Sequence, residues 1–142
     1  MRRALILVFI AGAIANAFLL PASSAQAGRP AAVAVSLPRV LTCTGTAQLK
    51  PASYLMSCAD ANASWKKVVW TSWGSKSARG KGDLYQNDCT PNCAAGVFRT
   101  YAAAIVLSGV MKTNKYGPLY SKASFSYSVA GKHESETFGL AT

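Results

Sequence analysis

Leu119-Tyr120-Ser121-Lys122-Ala123-Ser124-Phe125-Ser126-Tyr127-Ser128-Val129 carries the clearest period in the chain. Leu119, Ala123, Phe125, Tyr127 and Val129 fall at one parity, with Lys122, Ser124, Ser126 and Ser128 at the other. Side chains alternate across a strand, so this segment reads as a half-buried β-strand with a greasy face and a hydroxyl face. Working outward, similar runs recur at residues 40–44, 54–58, 65–73, 81–86, 97–108 and 133–140. Gly, Pro, Asn and Asp separate them. Beyond the N-terminal apolar segment no stretch has a helical period. Short strands at close spacing with Gly/Pro turns predict an all-β fold, a small antiparallel sandwich or barrel of about six or seven strands.

The run at residues 65–73 contains Trp65, Trp70 and Trp73. Strict alternation puts Trp65, Val69 and Trp73 on one face and Val68 with Trp70 on the other. Apolar residues on both faces predict a central strand covered on its outer side. Trp70 is the indole expected to reach solvent. With Lys66, Lys67 and Arg79 close by in sequence, it forms the candidate binding surface: an aromatic face stacks on sugar rings and the cations meet anionic groups.

The N-terminus has the order of a cleavable export signal. Arg2 and Arg3 precede an apolar run at residues 4–20, then Pro21 and the small-residue site Ala25-Gln26-Ala27. A greasy segment partitions into the membrane, and the peptidase admits only small side chains beside the scissile bond. Cleavage is expected after Ala27. Residues 1–27 are then the signal peptide, 28–38 an extended lead-in, and 39–142 a single β-domain. No later segment is apolar and long enough to span a bilayer.

The full chain has 142 residues and a formal charge of +10. Without Arg2 and Arg3 the exported part holds 13 bases against 5 acids, a net +8. Such a charge favours anionic surfaces. Export makes nucleic acid an unsuitable partner and points to an anionic cell-envelope polymer, a glycan or a protein. Cys43, Cys58, Cys89 and Cys93 are an even count in a short exported chain, which reads as a disulfide framework. Three pairings are possible. Cys43–Cys58 with Cys89–Cys93 is preferred, because each closes a short loop rich in turn residues. Only one pair has zinc-like spacing, and the redox motif wants one residue fewer between its cysteines, so no metal or other cofactor is expected.

Reactive groups are few. The acids are Asp60, Asp83, Asp88, Glu134 and Glu136, and His133 is the one histidine. No Gly-x-Ser-x-Gly elbow accompanies the serines. His133 reads as a solvated hairpin residue, Asp60 and Asp88 as Asx-turn residues, and Glu134 with Glu136 as exposed acids on one face of a terminal strand. Asn62-Ala63-Ser64 matches a glycosylation sequon. No catalytic residue is assigned. The favoured reading is a non-enzymatic binding or structural protein at the cell surface or wall. A small secreted hydrolase, an inhibitor of one, and a membrane-active basic effector are the alternatives.

Pro51-Ala52-Ser53, Ser57-Cys58-Ala59-Asp60, Trp70-x-x-Trp73, Cys89-Thr90-Pro91-Asn92-Cys93-Ala94-Ala95-Gly96 and Tyr116-Gly117-Pro118-Leu119-Tyr120 follow in this order. The order resembles uncharacterised small secreted proteins of actinomycetes, over residues 41–127. The resemblance implies export and a two-disulfide β-domain, and supplies no activity. One departure stands out: Ala61 lies where such proteins often have glycine between the Asp and Asn of a turn. The cleavage expectation has a direct check. Intact mass and N-terminal sequencing of the secreted product should show Gly28 as the first residue; a product retaining residues 4–20 would overturn it.

Overall fold

A computed structural model describes residues 36–142. The expected signal peptide and most of the lead-in lie outside the described residues. The described chain contains eight strands: β1 Val40–Leu41, β2 Ala47–Gln48, β3 Tyr54–Leu55, β4 Ala63–Trp73, β5 Ala78–Asn87, β6 Phe98–Thr113, β7 Gly117–Val129 and β8 Lys132–Gly139. Strands β3 to β8 form one antiparallel six-stranded sheet in chain order, and β1 pairs with β2 in a small separate sheet. The all-β expectation holds. The short β2 was not legible from the sequence, because Ala47 and Gln48 carry no strand-like pattern. The disulfides are Cys43–Cys58 and Cys89–Cys93, the preferred pairing.

The alternation in β7 is realised from Ala123 to Tyr127; nearer Pro118 both Leu119 and Tyr120 are fully buried, and it is Tyr120, read at the other parity, that joins the core and meets the Trp73 ring. Ala123, Phe125 and Tyr127 are buried, while Ser124 and Ser126 between them are only half-buried. Val129, assigned to the buried face, is 37% exposed beside the β7–β8 turn, where it pairs with Lys132. On β6, Ala103, Ile105 and Leu107 face the same core. The sheet curls until β4 approaches β7, three strands away: the Trp65 and Phe125 rings lie 6.3 Å apart. The Tyr54 hydroxyl donates to Leu41 O at 2.6 Å. Each large side chain sealed in this core contributes about 1.5–3 kcal/mol.

Strand β4 departs from strict alternation. Lys66 pairs with Asp83 but Val69 pairs with Lys81, so one extra residue enters β4 between them; a second enters between Trp70 and Ser72. Lys67, in the first bulge, has φ 53°. Each insertion reverses the phase of the strand. Trp65, Val68, Trp70 and Trp73 therefore all turn inward, and Val69 turns out to 70% exposure. The expected division, Trp65 with Val69 against Val68 with Trp70, is corrected accordingly.

Turning four bulky residues inward on β4 needs room on β5, and glycine supplies it. A Cβ at Gly82 would lie 2.6 Å from Val68 Cγ2 and 2.8 Å from Lys66 O. One at Gly80 would lie 2.9 Å from both Trp70 Cε3 and Val69 O. The indole N–H groups find backbone acceptors on the segment that crosses the inner face. Trp65 and Trp70 both donate to Pro51 O, at 3.3 and 3.0 Å, and Trp73 donates to Pro38 O at 2.8 Å. Val68 N–H, at the bulge, donates to Ala52 O at 2.9 Å. Pro38, the last residue of the expected lead-in, is fully buried within the fold.

Denaturant unfolding checks two of these backbone features. Gly82→Ala should lose about 1–3 kcal/mol, the usual cost of overpacking against backbone. Ala61 sits at φ 56° in an exposed turn. Ala61→Gly should gain about 0.5–1 kcal/mol, since a left-handed alanine is strained and glycine is not.

Candidate functional site

The bulges in β4 decide what the outer face of the sheet presents. Lys66 stays outward, and its Nζ sits 3.3 Å from the centroid of the Tyr85 ring on β5. Tyr85 stacks on Phe98 of β6, with centroids 4.8 Å apart and planes 13° from parallel. Lys66, Tyr85 and Phe98 thus form a three-layer cation–aromatic stack across three adjacent strands. Phe98 is 40% exposed at its end. Lys81 and Arg79 continue the same face of β5, opposite Ala104 and Val106 of β6. The small side chains Ala102 and Ala104, with Lys81 and Asp83, leave a shallow trough of ≈ 450 Å³ beside the stack. Beyond it, Ser126 and Ser124 of β7 and Ser135 and Thr137 of β8 extend the same rows with hydroxyls.

The structure separates the four residues expected to form a binding surface. Lys66 and Arg79 lie on one exposed face. Lys67 sits in the bulge, 85% exposed, and reaches Asp83 at 3.6 Å, an exposed pair of small energetic weight. Trp70 is not on that surface. It is half-buried on the inner face, edge-on to Trp65 at 6.0 Å and to Trp73 at 4.8 Å. Its place is taken by Tyr85 and Phe98. Tyr85 lies within the expected run at 81–86 and Phe98 within that at 97–108. Both were legible as strand residues, but which strands are neighbours was not.

Four of the five acids, Asp60, Asp83, Asp88 and Glu136, have a polar partner. Asp60 accepts from Asn62 N–H at 3.2 Å, the Asx turn expected, and this backbone bond chiefly holds its carboxyl below the usual carboxylate range. Asp88 organises the β5–β6 connection, which contains the Cys89–Cys93 bridge. It accepts from Val97 N–H at 2.9 Å, Thr90 N–H at 3.2 Å and Arg99 Nε at 2.9 Å. The two backbone donors, Val97 first, are the main cause of its depressed pKa. Asn87 cross-links the same region, donating to Asn62 Oδ1 at 3.1 Å and Cys93 O at 2.8 Å. The Asn62 side chain of the sequon is thus already a structural contact.

Glu136 is the acid that sequence reading placed least well. It is half-buried on β8 and accepts from the Tyr127 hydroxyl and from Gln86 Nε2, the latter at 3.2 Å. Tyr127 also stacks on Tyr101 at 4.8 Å. Glu134, its neighbour on that face, is exposed. His133 is exposed as expected; its ring meets Ser126 Oγ at 3.4 Å, across the β7–β8 pair. Among the described residues no three of His, Cys, Asp and Glu gather as a metal site. No helix among them is long and apolar enough to cross a membrane.

Burial, and then the Glu136 carboxylate, push the Tyr127 phenol up to about 12. The fold favours the neutral phenol. That contribution to stability is intact below pH 10, the ordinary phenol value, and is lost as pH rises toward 12. In an ultraviolet pH titration the highest-titrating phenol should disappear in Tyr127→Phe, and the fall in stability above pH 10 should become shallower. An unchanged titration curve would overturn the assignment. Comparison of the chain with protein-family models, with curated proteins and with solved structures found no match in any of the three.

Proposed function

We propose that the chain is exported and works as a non-enzymatic binding domain at the cell surface or wall, gripping an anionic polymer through the outer face of β4–β6. The observation that carries this reading is the Lys66–Tyr85–Phe98 stack with Lys81 and Arg79 beside it. A stacked aromatic pair with one exposed end offers a platform for a sugar ring. Cations on two strands offer counter-charges at more than one point along a chain of anions. The trough over Ala102 and Ala104 leaves room for a polymer to lie close to the sheet.

The charge balance supports the same reading. Asp83 and Asp88 each meet a base, and Glu136 is bound by Tyr127 and Gln86. Among the described residues the other bases are exposed and take part in neither ion pair, which favours encounter with polyanions. Export is supported by the signal-like N-terminus and by the two disulfides, which persist in oxidising compartments. The motif order, which resembles that of small secreted actinomycete proteins, agrees with this reading.

Retention on an immobilised sugar–phosphate wall polymer tests the proposal. The protein should bind at low ionic strength and elute as salt approaches about 0.5 M, where screening reaches a few ångströms. Arg79→Glu with Lys81→Glu should weaken retention about tenfold, and Phe98→Ala should weaken it at all salt concentrations. Equal retention on an uncharged glycan, or no loss in the double variant, would overturn it.

A further inference from the structure

A second concavity lies away from the sheet's outer face. Ser36 and Pro38, Ser75 of the β4–β5 turn, and Val110, Lys112, Thr113, Asn114, Gly117 and Pro118 of the β6–β7 hairpin enclose ≈ 510 Å³. That is within the range of small-molecule sites, about 300–1,000 Å³. Pro38, Val110 and Pro118 provide apolar walls, and Lys112 the one charge in the lining. Thr113 is occupied within the hairpin: its hydroxyl donates to Gly117 O at 2.9 Å and accepts from Tyr116 N–H at 3.1 Å. Lys112 takes part in neither ion pair of the described residues.

Bases without neighbouring acids border this cleft. In an antiparallel meander the β4–β5 and β6–β7 turns lie at the same end of the sheet, and the β5–β6 and β7–β8 turns at the other. The cleft end therefore gathers Lys76, next to Ser75, and Lys115, next to Asn114, with Arg39 beside Pro38. Lys115 is steadied by the Tyr116 ring, 4.9 Å from its Nζ. No acid lines the cleft or adjoins its lining residues in sequence. Asp88 lies in the connection at the opposite end, and Glu134 and Glu136 lie on β8.

We infer that this cleft is a binding site for a small amphiphilic anion, its apolar body against Pro38, Val110 and Pro118 and its carboxylate on Lys112. The chemistry is complementary on both counts. An apolar wall rewards removal of a hydrocarbon from water, and an ammonium in a partly enclosed site holds a carboxylate by a charge-assisted hydrogen bond. Neither a purely apolar molecule nor a simple hydrated anion uses both parts. The site is separate from the sheet face proposed to hold a polymer, and neither reading depends on the other.

Decanoate titrated into the exported chain, followed by amide NMR, is the test, with decanol and acetate as the comparison probes. Decanoate should bind at least tenfold more tightly than either, with shifts centred on residues 110–118 and 36–38. Lys112→Gln, an exposed substitution outside the core, should reduce the preference for decanoate over decanol about tenfold. Ser75→Trp should block both ligands by filling the mouth. Lys81→Glu, on the sheet face, should leave decanoate binding unchanged. Equal binding of decanoate and decanol, shifts centred elsewhere, or a Lys112→Gln variant with unaltered preference would each overturn the inference.

Discussion

Lys67 holds a left-handed backbone at φ 53°, and that one inserted residue sets the phase of everything after it in β4. Without it Val69, not Val68, would point into the core. With it, and with the second insertion before Ser72, four large side chains share the inner face. The cost of packing them together is met by two complementary features. Gly80 and Gly82 leave β5 without side chains where Val68 and Trp70 press in. The carbonyls of Pro51 and Pro38 accept all three indole N–H groups, so none is buried without a partner.

The same shift shapes the other side of the sheet. Because the tryptophans turn inward, the outer face is left to Lys66, Arg79, Lys81, Tyr85 and Phe98, with serine and threonine further along. Rigidity there comes from the layers beneath and from the connection at Phe98's edge. That connection is tied by Cys89–Cys93, by the Asp88 acceptors and by the Asn87 side chain. A 15-residue separation closed by Cys43–Cys58 adds about 3 kcal/mol at the other flank. The outer face is thus a product of the same strand phase that packs the core.

Much of the fold was legible because local pattern and burial agree. The alternation of Ala123, Phe125 and Tyr127 with serines marked β7 correctly, and turn residues marked the hairpins on either side. The disulfide pairing followed from loop length and turn chemistry in the same way. Trp70 was misread for an equally local reason: counting by twos cannot register an inserted residue. The left-handed position of Ala61, φ 56°, likewise depends on the turn it occupies and was not readable from an alanine.

The amino-acid sequence by itself determined the all-β class, the disulfide framework and the excess of positive charge. These follow from composition and from short-range periodicity, which each segment carries independently of its neighbours. Only the tertiary structure decided which aromatic residues meet which cations. Lys66, Tyr85 and Phe98 are separated by up to 32 positions in the chain and touch because β4, β5 and β6 pair in one register. Likewise Pro38, Ser75 and Lys112 enclose one cleft only because two hairpins and the N-terminal segment end on the same side of the sheet. Register and curvature depend on contacts between distant segments, so no local reading can contain them.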